Sequence, residues 1–300
     1  MRRGAGHTGA MREPNNYLPE VRNQYEALPY PACDPQDEHR RLARTWLEDL
    51  PMVNHYCFAG RQSFRNGFRA LVAGGGTGDA TIFLAEQLRH SNAEVVHLDL
   101  SQASIAITRE RAAIRGLSNI RWVHDSLLNL PTLGLGHFQY VNCSGVLHHL
   151  ADPDAGFTAL RNVLARDGAI GLMVYARTGR TGVYQMQALM RLVDGTEQDV
   201  QCKIDNTRDL LASLPAGNWF KRGEDLYHDH LAGDAGIYDL LLHSQDRAYS
   251  ITRSASCSTG CTRVKPADRV VRACIWHSRT CSAAARPTCR SWCWATSLRP

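Results

Sequence analysis

The stretch that most constrains this chain of 300 residues is RALVAGGGTGDATIFLAEQL, residues 69–88. Leu71, Val72 and Ala73 make the apolar end of a strand. Gly74, Gly75, Gly76 and Gly78 follow with Thr77 between them, and a helix begins near Asp79 with Ile82, Phe83, Leu84 and Leu88 on its apolar side. Glycine suits such a turn because the chain must reverse sharply, often at positive φ, and let a ligand reach backbone that a Cβ would shield. The helix N-terminus behind it offers unpaired N–H groups. Spacing then sorts the ligand classes. A P-loop needs G-x-x-x-x-G-K-[ST], and no Lys is near. A dinucleotide fingerprint needs G-x-G-x-x-G, but counting from Gly74 and Gly76 puts Asp79 in the last place, and counting from Gly75 fails at Thr77. A nicotinamide oxidoreductase is therefore the weaker reading, and what stands is G-x-G-x-G at Gly74, Gly76 and Gly78.

Downstream, strands and helices alternate. Strands are expected at Glu94–Leu98, Ile120–His124, Phe138–Cys143 and Ala169–Val174, with helices from Ser101 to about Arg115 and from Pro153 to Ala165. That alternation predicts an α/β fold, a doubly wound, mostly parallel sheet covered on both faces. Such sheets bind ligands beyond the carboxyl ends of their strands. Asp99 closes the second strand, where its carboxylate can accept both hydroxyls of a ribose, while Ser101 caps the next helix. Asp125 and Ser126 close the third strand, and NCSGVLHHLADP, residues 142–153, follows the fourth.

These four pieces, in this order, resemble the motifs of class I S-adenosylmethionine-dependent methyltransferases, over roughly residues 20–250. The phrase QYEALPYP resembles a Tyr-Glu…Pro-Tyr-Pro segment that precedes the methyltransferase domain in a bacterial group, some of it joined to tetratricopeptide repeats. The resemblance implies a Rossmann-like core with S-adenosyl-L-methionine over Gly74, Gly75, Gly76, Thr77 and Gly78 and its ribose on Asp99 beside Leu100. It further implies that Asp125, with Ser126, meets the adenine amine, that Ser144 lines the methionine end, and that the preceding segment acts as a lid. Two departures stand out. Most relatives carry Asp or Glu two residues before the first glycine, where this chain has Val72, and Asp79 is the candidate to replace it. The Asp/Asn-Pro-Pro-Tyr loop of nucleobase and amide methylators is replaced by Asn142-Cys143-Ser144-Gly145, which makes DNA amines and glutamine poor targets.

Methyl transfer from a sulfonium chiefly needs alignment and removal of water, with a base only where the acceptor is protonated. His148, His149, His228, His230 and His243 are the titratable candidates. His148, directly after the fourth strand, is the expected catalytic residue, with His149 packed under the loop. Tyr25, Tyr30, Tyr227, His228, Tyr238, His243 and Tyr249 are expected to border the acceptor pocket. The expected function is methyl transfer to a small molecule or a protein side chain. A cofactor-binding module without turnover is the alternative. No metal site is expected in either case.

The organisation expected is a disordered stretch over 1–16, a helical or lid segment over 17–60, the α/β core over 61–176, a helical substrate-facing insertion over 177–250 and an atypical tail over 251–300. In the lid segment, Asp34 and Pro35 read as the start of a helix running to about Leu50, with Leu42, Trp46 and Leu47 inward. The net charge of +5 does not signal nucleic acid. The last fifty residues hold nine of the 34 basic residues and one of the 29 acidic ones, leaving 25 against 28 in the rest. Nothing reads as a leader or a membrane span, so a cytoplasmic protein is expected. The tail has one Leu, no Glu, Phe or Tyr, and six of the ten cysteines. It reads as GC-rich coding sequence translated in a shifted frame, and the sheet is accordingly expected to lack its last strands. The Cys257/Cys261 and Cys289/Cys293 pairs are a weak match to zinc ligand spacing.

Overall fold

A computed structural model describes residues 17–250 and the backbone of 272–278 and 293–294. In chain order come α1 (Pro19–Ala27), α2 (Leu50–Phe58), β1 (Asn66–Ala73), α3 (Asp79–Gln87), β2 (Asn92–Asp99), α4 (Gln102–Ile114), β3 (Ile120–His124) and β4 (Phe138–Ser144). They are followed by α5 (Pro153–Asn162), β5 (Leu164–Tyr175), α6 (Thr181–Asp194), α7 (Val200–Ser213), β6 (Arg272–Ser278) and β7 (Cys293–Trp294). The sheet order is β3-β2-β1-β4-β5-β6-β7. All pairs through β6 are parallel, so the strand order reverses between β1 and β4 and opens a crevice at their carboxyl ends.

The period-two alternation of side chains splits the strands between two apolar layers. Ala70, Val72, Val95 and Tyr140 pack on α2 and α3 through Leu50, Val53, Phe58, Leu84 and Leu88. Leu71, Ala73, Val96, Leu98 and Val141 face the opposite layer, against Leu127, Leu130, Phe157 and Leu160. A smaller cluster joins α6 and α7 to the insertion through Val183, Met186, Leu211, Phe220 and Leu240. Residues 247–249 return beside the strand ends: the Arg247 N–H donates to the His148 carbonyl at 3.0 Å and the Tyr249 N–H to the Tyr175 carbonyl at 2.9 Å.

Two expectations are corrected. The sheet does not end at its fifth strand, because β6 pairs along β5 from Ala169↔Arg272 to Tyr175↔Ser278, and β7 adds antiparallel to β6. The edge expected to be bare is thus covered by backbone. The remainder of 251–300, with the shifted-frame reading and Cys257, Cys261 and Cys289, lies outside the described residues, as does 1–16. Second, the helix expected from Asp34 to Leu50 is only a short 3₁₀ turn, Pro35–His39, with Asp34 capping it. Beyond it the carbonyls are taken by the core instead of by a helix. Arg41 O accepts from Arg115, Leu47 O from the Tyr140 hydroxyl and Glu48 O from Gln87. Trp46 stays exposed. The helix restarts where Asp49 caps the Met52 N–H, with Pro51 in its first turn.

A buried ion network fastens the segment before α2 to the core. Arg111 of α4 reaches Glu38 at 2.6 Å, Asp79 at 2.8 Å and the Thr77 carbonyl at 2.7 Å, and Arg115 also bonds Glu38. Removing one member of a buried pair strands the other charges away from water. Arg111→Leu should therefore cost about 3–5 kcal/mol, measured by urea unfolding, and a loss below about 1 kcal/mol would mean that solvent screens the network.

Candidate functional site

The glycine turn is built by three close approaches. Gly74 and Gly75 donate to the Leu98 carbonyl at 2.8 and 3.2 Å, which pins the turn to the end of β2. A Cβ on Gly75 would run into the His97 ring, and one on Gly78, at φ +105°, would run into Thr108. Gly76, at φ +51°, has the Tyr30 carbonyl oxygen 2.7 Å from where a Cβ would stand. Gly74, Gly75 and Gly76 are part-exposed, and Thr77 is fully buried.

Asp99 lies against this turn. One carboxylate oxygen accepts the Gly76 N–H at 2.7 Å and the other the Ser101 N–H at 2.8 Å. Each oxygen keeps a further lone pair for a ligand. Burial pushes its pKa up, while the backbone N–H groups of Ser101, Gly76 and Leu100 act in the opposite direction. Asp125, at the end of β3, accepts from the Ser126 N–H and the Asn129 amide, both at 2.7 Å and both on one oxygen. Ser126 is buried and caps the next turn through Leu128, and Leu100 and Ser144 are partly exposed at the ends of β2 and β4. Glycine turn, Asp99, Asp125 and Ser144 therefore share the carboxyl edge of the sheet, at the crevice.

The last turn of α1 and the segment after it lie across that edge. Tyr25 O accepts from the Ser101 hydroxyl at 3.0 Å, Glu26 accepts from Gln102 N at 2.9 Å at the start of α4, and Pro31 O accepts from the Thr77 hydroxyl at 2.6 Å. The same tyrosines reach the insertion. The Tyr25 hydroxyl donates to Asp239 at 2.8 Å, and the Tyr30 hydroxyl donates to Asp229.

A buried polar cluster of His149, His243, Asp239 and Tyr25 results, bordered by Asp229 and by the fully covered carboxylate of Asp246. His149 Nδ1 stands 2.7 Å from the Gln245 carbonyl oxygen, which can only accept, so the proton sits on Nδ1 and Nε2 keeps its lone pair. Conversely, the Gln245 N–H donates to His243 Nδ1 at 3.0 Å, which leaves the proton on Nε2, facing the Tyr25 hydroxyl at 3.1 Å. The result is a chain from His243 through Tyr25 to Asp239. His149, Asp239 and His243 bring possible metal-ligand atoms within 4.8 Å of one another. The two imidazoles, however, stack at 3.8 Å and 16°, so their in-plane lone pairs run side by side rather than converging on one ion. Burial lowers the His149 pKa to about 4 and that of His243 well below its usual value. Burial likewise raises Asp239 to about 7 and Tyr25 well above a free phenol.

The structure rearranges the residues expected here. His148 is fully buried, stacked on Tyr175 at 3.9 Å with both ring nitrogens unpartnered, and burial drives its pKa well down. Its neighbour His149, expected to pack beneath the loop, is the one that enters the cluster. Tyr25 and His243 meet, and Tyr30 reaches Asp229 beside them. Tyr227 packs against Phe220, His228 is exposed, Tyr238 is half-buried and Tyr249 belongs to the main core. Asp79 does not replace the missing acid of β1, because it pairs with Arg111. Glu48 was missed altogether, and so were Asp229, Asp239 and Asp246. The spacing of HDHLAGDAGIYDLLLHSQD, residues 228–246, could have signalled the aspartates, but only as polar residues unusually dense around buried apolar ones.

His149 makes a measurable pH dependence. An unfolded histidine titrates near 6.5. Between there and about 4, the unfolded chain takes up a proton that the folded chain refuses. This contribution to stability is complete above pH 6.5 and is lost on acidification. Asp239 and Glu48, both raised to about 7, act in the opposite sense. His149→Gln leaves them in place, so it should lose less stability than the parent protein between pH 7 and 4, by about 2–4 kcal/mol. Urea unfolding at several pH values measures it, and parallel curves would mean that His149 is already solvated.

The chain is similar to several known proteins. An uncharacterized protein of Synechococcus sp. is 32% identical over 240 residues, covering 79% of this chain and 56% of that protein. The chain thus spans about half the length of the curated relative it matches. Among solved structures, PKMT2 from Rickettsia typhi in complex with AdoHcy is 16% identical with a TM-score of 0.49, covering 64% of this chain and 38% of that one. An S-adenosylmethionine-dependent methyltransferase from Clostridium acetobutylicum is 20% identical with a TM-score of 0.34, covering 44% of this chain and 51% of that one. A methyltransferase-domain family model matches residues 71–170. That match spans the glycine turn, Asp99, Asp125 and Ser144, so the α/β core of this chain carries a methyltransferase domain.

Proposed function

We propose that the chain binds S-adenosyl-L-methionine at the crevice and transfers its methyl group to a nitrogen acceptor, on a small molecule or a protein side chain, that enters the buried cluster. The observation that carries this is Tyr25. Its carbonyl is fixed beside Asp99 through Ser101, and its hydroxyl reaches Asp239, so one residue joins the cofactor edge to the cluster. The turn fits the cofactor: it holds glycine where a Cβ would collide, and Asp99 keeps lone pairs for a diol. Asp125 has one oxygen without a partner among the described residues, suited to an adenine amine. The cofactor supplies an electrophilic methyl on sulfur, which becomes a neutral thioether when it is lost.

Among the described residues, three covered carboxylates, Asp229, Asp239 and Asp246, lie within electrostatic reach of the Arg180 guanidinium. That surplus of acid favours a basic acceptor over an anionic one. Burial of Asp229 and Asp239 raises both pKa values, so either carboxylate can take the proton that an entering ammonium gives up, leaving a neutral amine beside a neutral acid. His149 Nε2, held as a lone pair by the Gln245 carbonyl, is a second proton acceptor. The freed nitrogen lone pair then forms the new C–N bond as the C–S bond breaks, in line. Closing Tyr25 and Tyr30 over the edge keeps water out.

Titration calorimetry with S-adenosylmethionine and with NAD, then methyl-transfer assays on amine, hydroxyl and thiol acceptors, tests the proposal. Asp99→Ala should weaken cofactor binding by about 1.5–3 kcal/mol, the scale of charge-assisted hydrogen bonds. Asp239→Asn should leave cofactor affinity unchanged and reduce turnover on amines at least about tenfold, the lower end for a positioned acid–base group. Binding without turnover on any acceptor would instead favour a cofactor-binding module, and preference for hydroxyl or thiol acceptors would remove the amine assignment.

A further inference from the structure

β1 carries Val72 two residues before the first glycine, yet a carboxylate does stand at that level. Val72 is paired in register with Asn142 of β4, and the Asn142 amide donates to a carboxylate oxygen of Glu48. Glu48 belongs to the loop before α2 and is 2% exposed. Its backbone is held from three sides. The preceding Leu47 carbonyl accepts from the Tyr140 hydroxyl, its own carbonyl accepts from Gln87 Nε2 at 2.8 Å, and the Leu50 N–H donates to Gln87 Oε1 at 3.0 Å. Three elements, β4, α3 and the α2 N-terminus, thus fix one acid side chain over the Val72–Asn142 pair.

The chain gives this acid no cation. Among the described residues no Lys, Arg or His forms an ion pair with Glu48, and the nearest guanidinium network, around Arg111, is already matched by Glu38 and Asp79. The charged group that does act on it is Asp79, of like sign, from the first turn of α3. Burial therefore holds its pKa at about 7, against the donors Thr45 and Asn142. A buried, rigidly held carboxylate without a counter-charge is costly in the free protein. It becomes favourable when a ligand brings a cation with N–H donors.

We propose that Glu48 receives the cationic α-amino group of the bound cofactor, supplying from the loop before α2 the carboxylate that β1 lacks. This rests on the S-adenosylmethionine reading of the crevice. An α-ammonium offers three donors on a point charge, so a single carboxylate oxygen left open by Asn142 suffices. Asp79 is unavailable for the same contact because Arg111 occupies it.

The test is calorimetry on the full chain with two ligands: S-adenosylhomocysteine, which has the amino-acid end, and 5′-methylthioadenosine, which lacks it. Glu48→Gln, which keeps an acceptor for Asn142 but no charge, should weaken S-adenosylhomocysteine binding roughly 10- to 100-fold and leave 5′-methylthioadenosine within about twofold. Equal losses for both ligands, or none for either, would overturn the assignment. Thermal melting at pH 8 checks the fold, and the variant should melt at or above the parent because it no longer buries a charge. Should it not fold, the parent protein alone decides. Its preference for S-adenosylhomocysteine over 5′-methylthioadenosine should fall as pH drops below about 7, and a preference independent of pH between 6 and 8 would reject the idea. If the parent binds neither ligand, the cofactor reading itself fails, an outcome distinct from all of these.

Discussion

The crevice depends on one interaction, the carboxylate of Asp99 divided between the N–H groups of Gly76 and Ser101. It joins the turn after β1, the end of β2 and the start of α4 at a single point. Without an acceptor there, the Gly76 N–H would face the crevice unpaired, and of the bonds that tie the turn to the end of β2 those to the Leu98 carbonyl would remain. The same bonds make burial of the acid tolerable, because backbone N–H groups oppose the desolvation that raises its pKa. A ligand diol would meet a carboxylate already oriented, and orientation achieved on folding need not be achieved again on binding.

The residues before β1 carry two tasks that the core does not perform alone. Glu38 is locked to Arg111 and Arg115, which anchors the segment, while Tyr25, Tyr30 and Pro31 lie over the turn. From the other side, residues 243–249 run along the carboxyl end of β5 through the Tyr249–Tyr175 bond. The two arms meet at Tyr25 and Asp239. The cluster so formed is polar yet covered, which is why its histidines are held neutral and Asp239 is partly protonated near neutral pH. In a medium of low effective dielectric, each of these groups responds strongly to a charge that enters.

Legibility in the sequence followed the range of the interaction. The turn, β3 over Ile120–His124 and the start of α4 at its Ser101 cap were readable because period, glycine content and capping are local. The helix expected beyond His39 failed because Leu47 and Glu48 carbonyls bond Tyr140 and Gln87, residues far along the chain. Of the adjacent pair His148 and His149, sequence position favoured His148, whereas His149 is the one that meets the cluster. Which imidazole turns toward it depends on the stack with Tyr175 and on Gln245, neither of which has a local signal.

The sequence by itself determined a doubly wound α/β core, the glycine turn at its first crossover and the acids at two strand ends, since these arise from side-chain period, chain stiffness and the edge at which parallel strands stop. It also exposed a gap, the apolar Val72 where a carboxylate was expected. Only the tertiary structure decided what stands over that gap. Glu48 reaches it from a loop 24 residues upstream, and Asp229, Asp239, His149 and Tyr25 meet although they are spread from 25 to 239. Contacts of that kind are set by how layers pack and which buried polar atoms find partners, and neither is written in the pattern of any one segment.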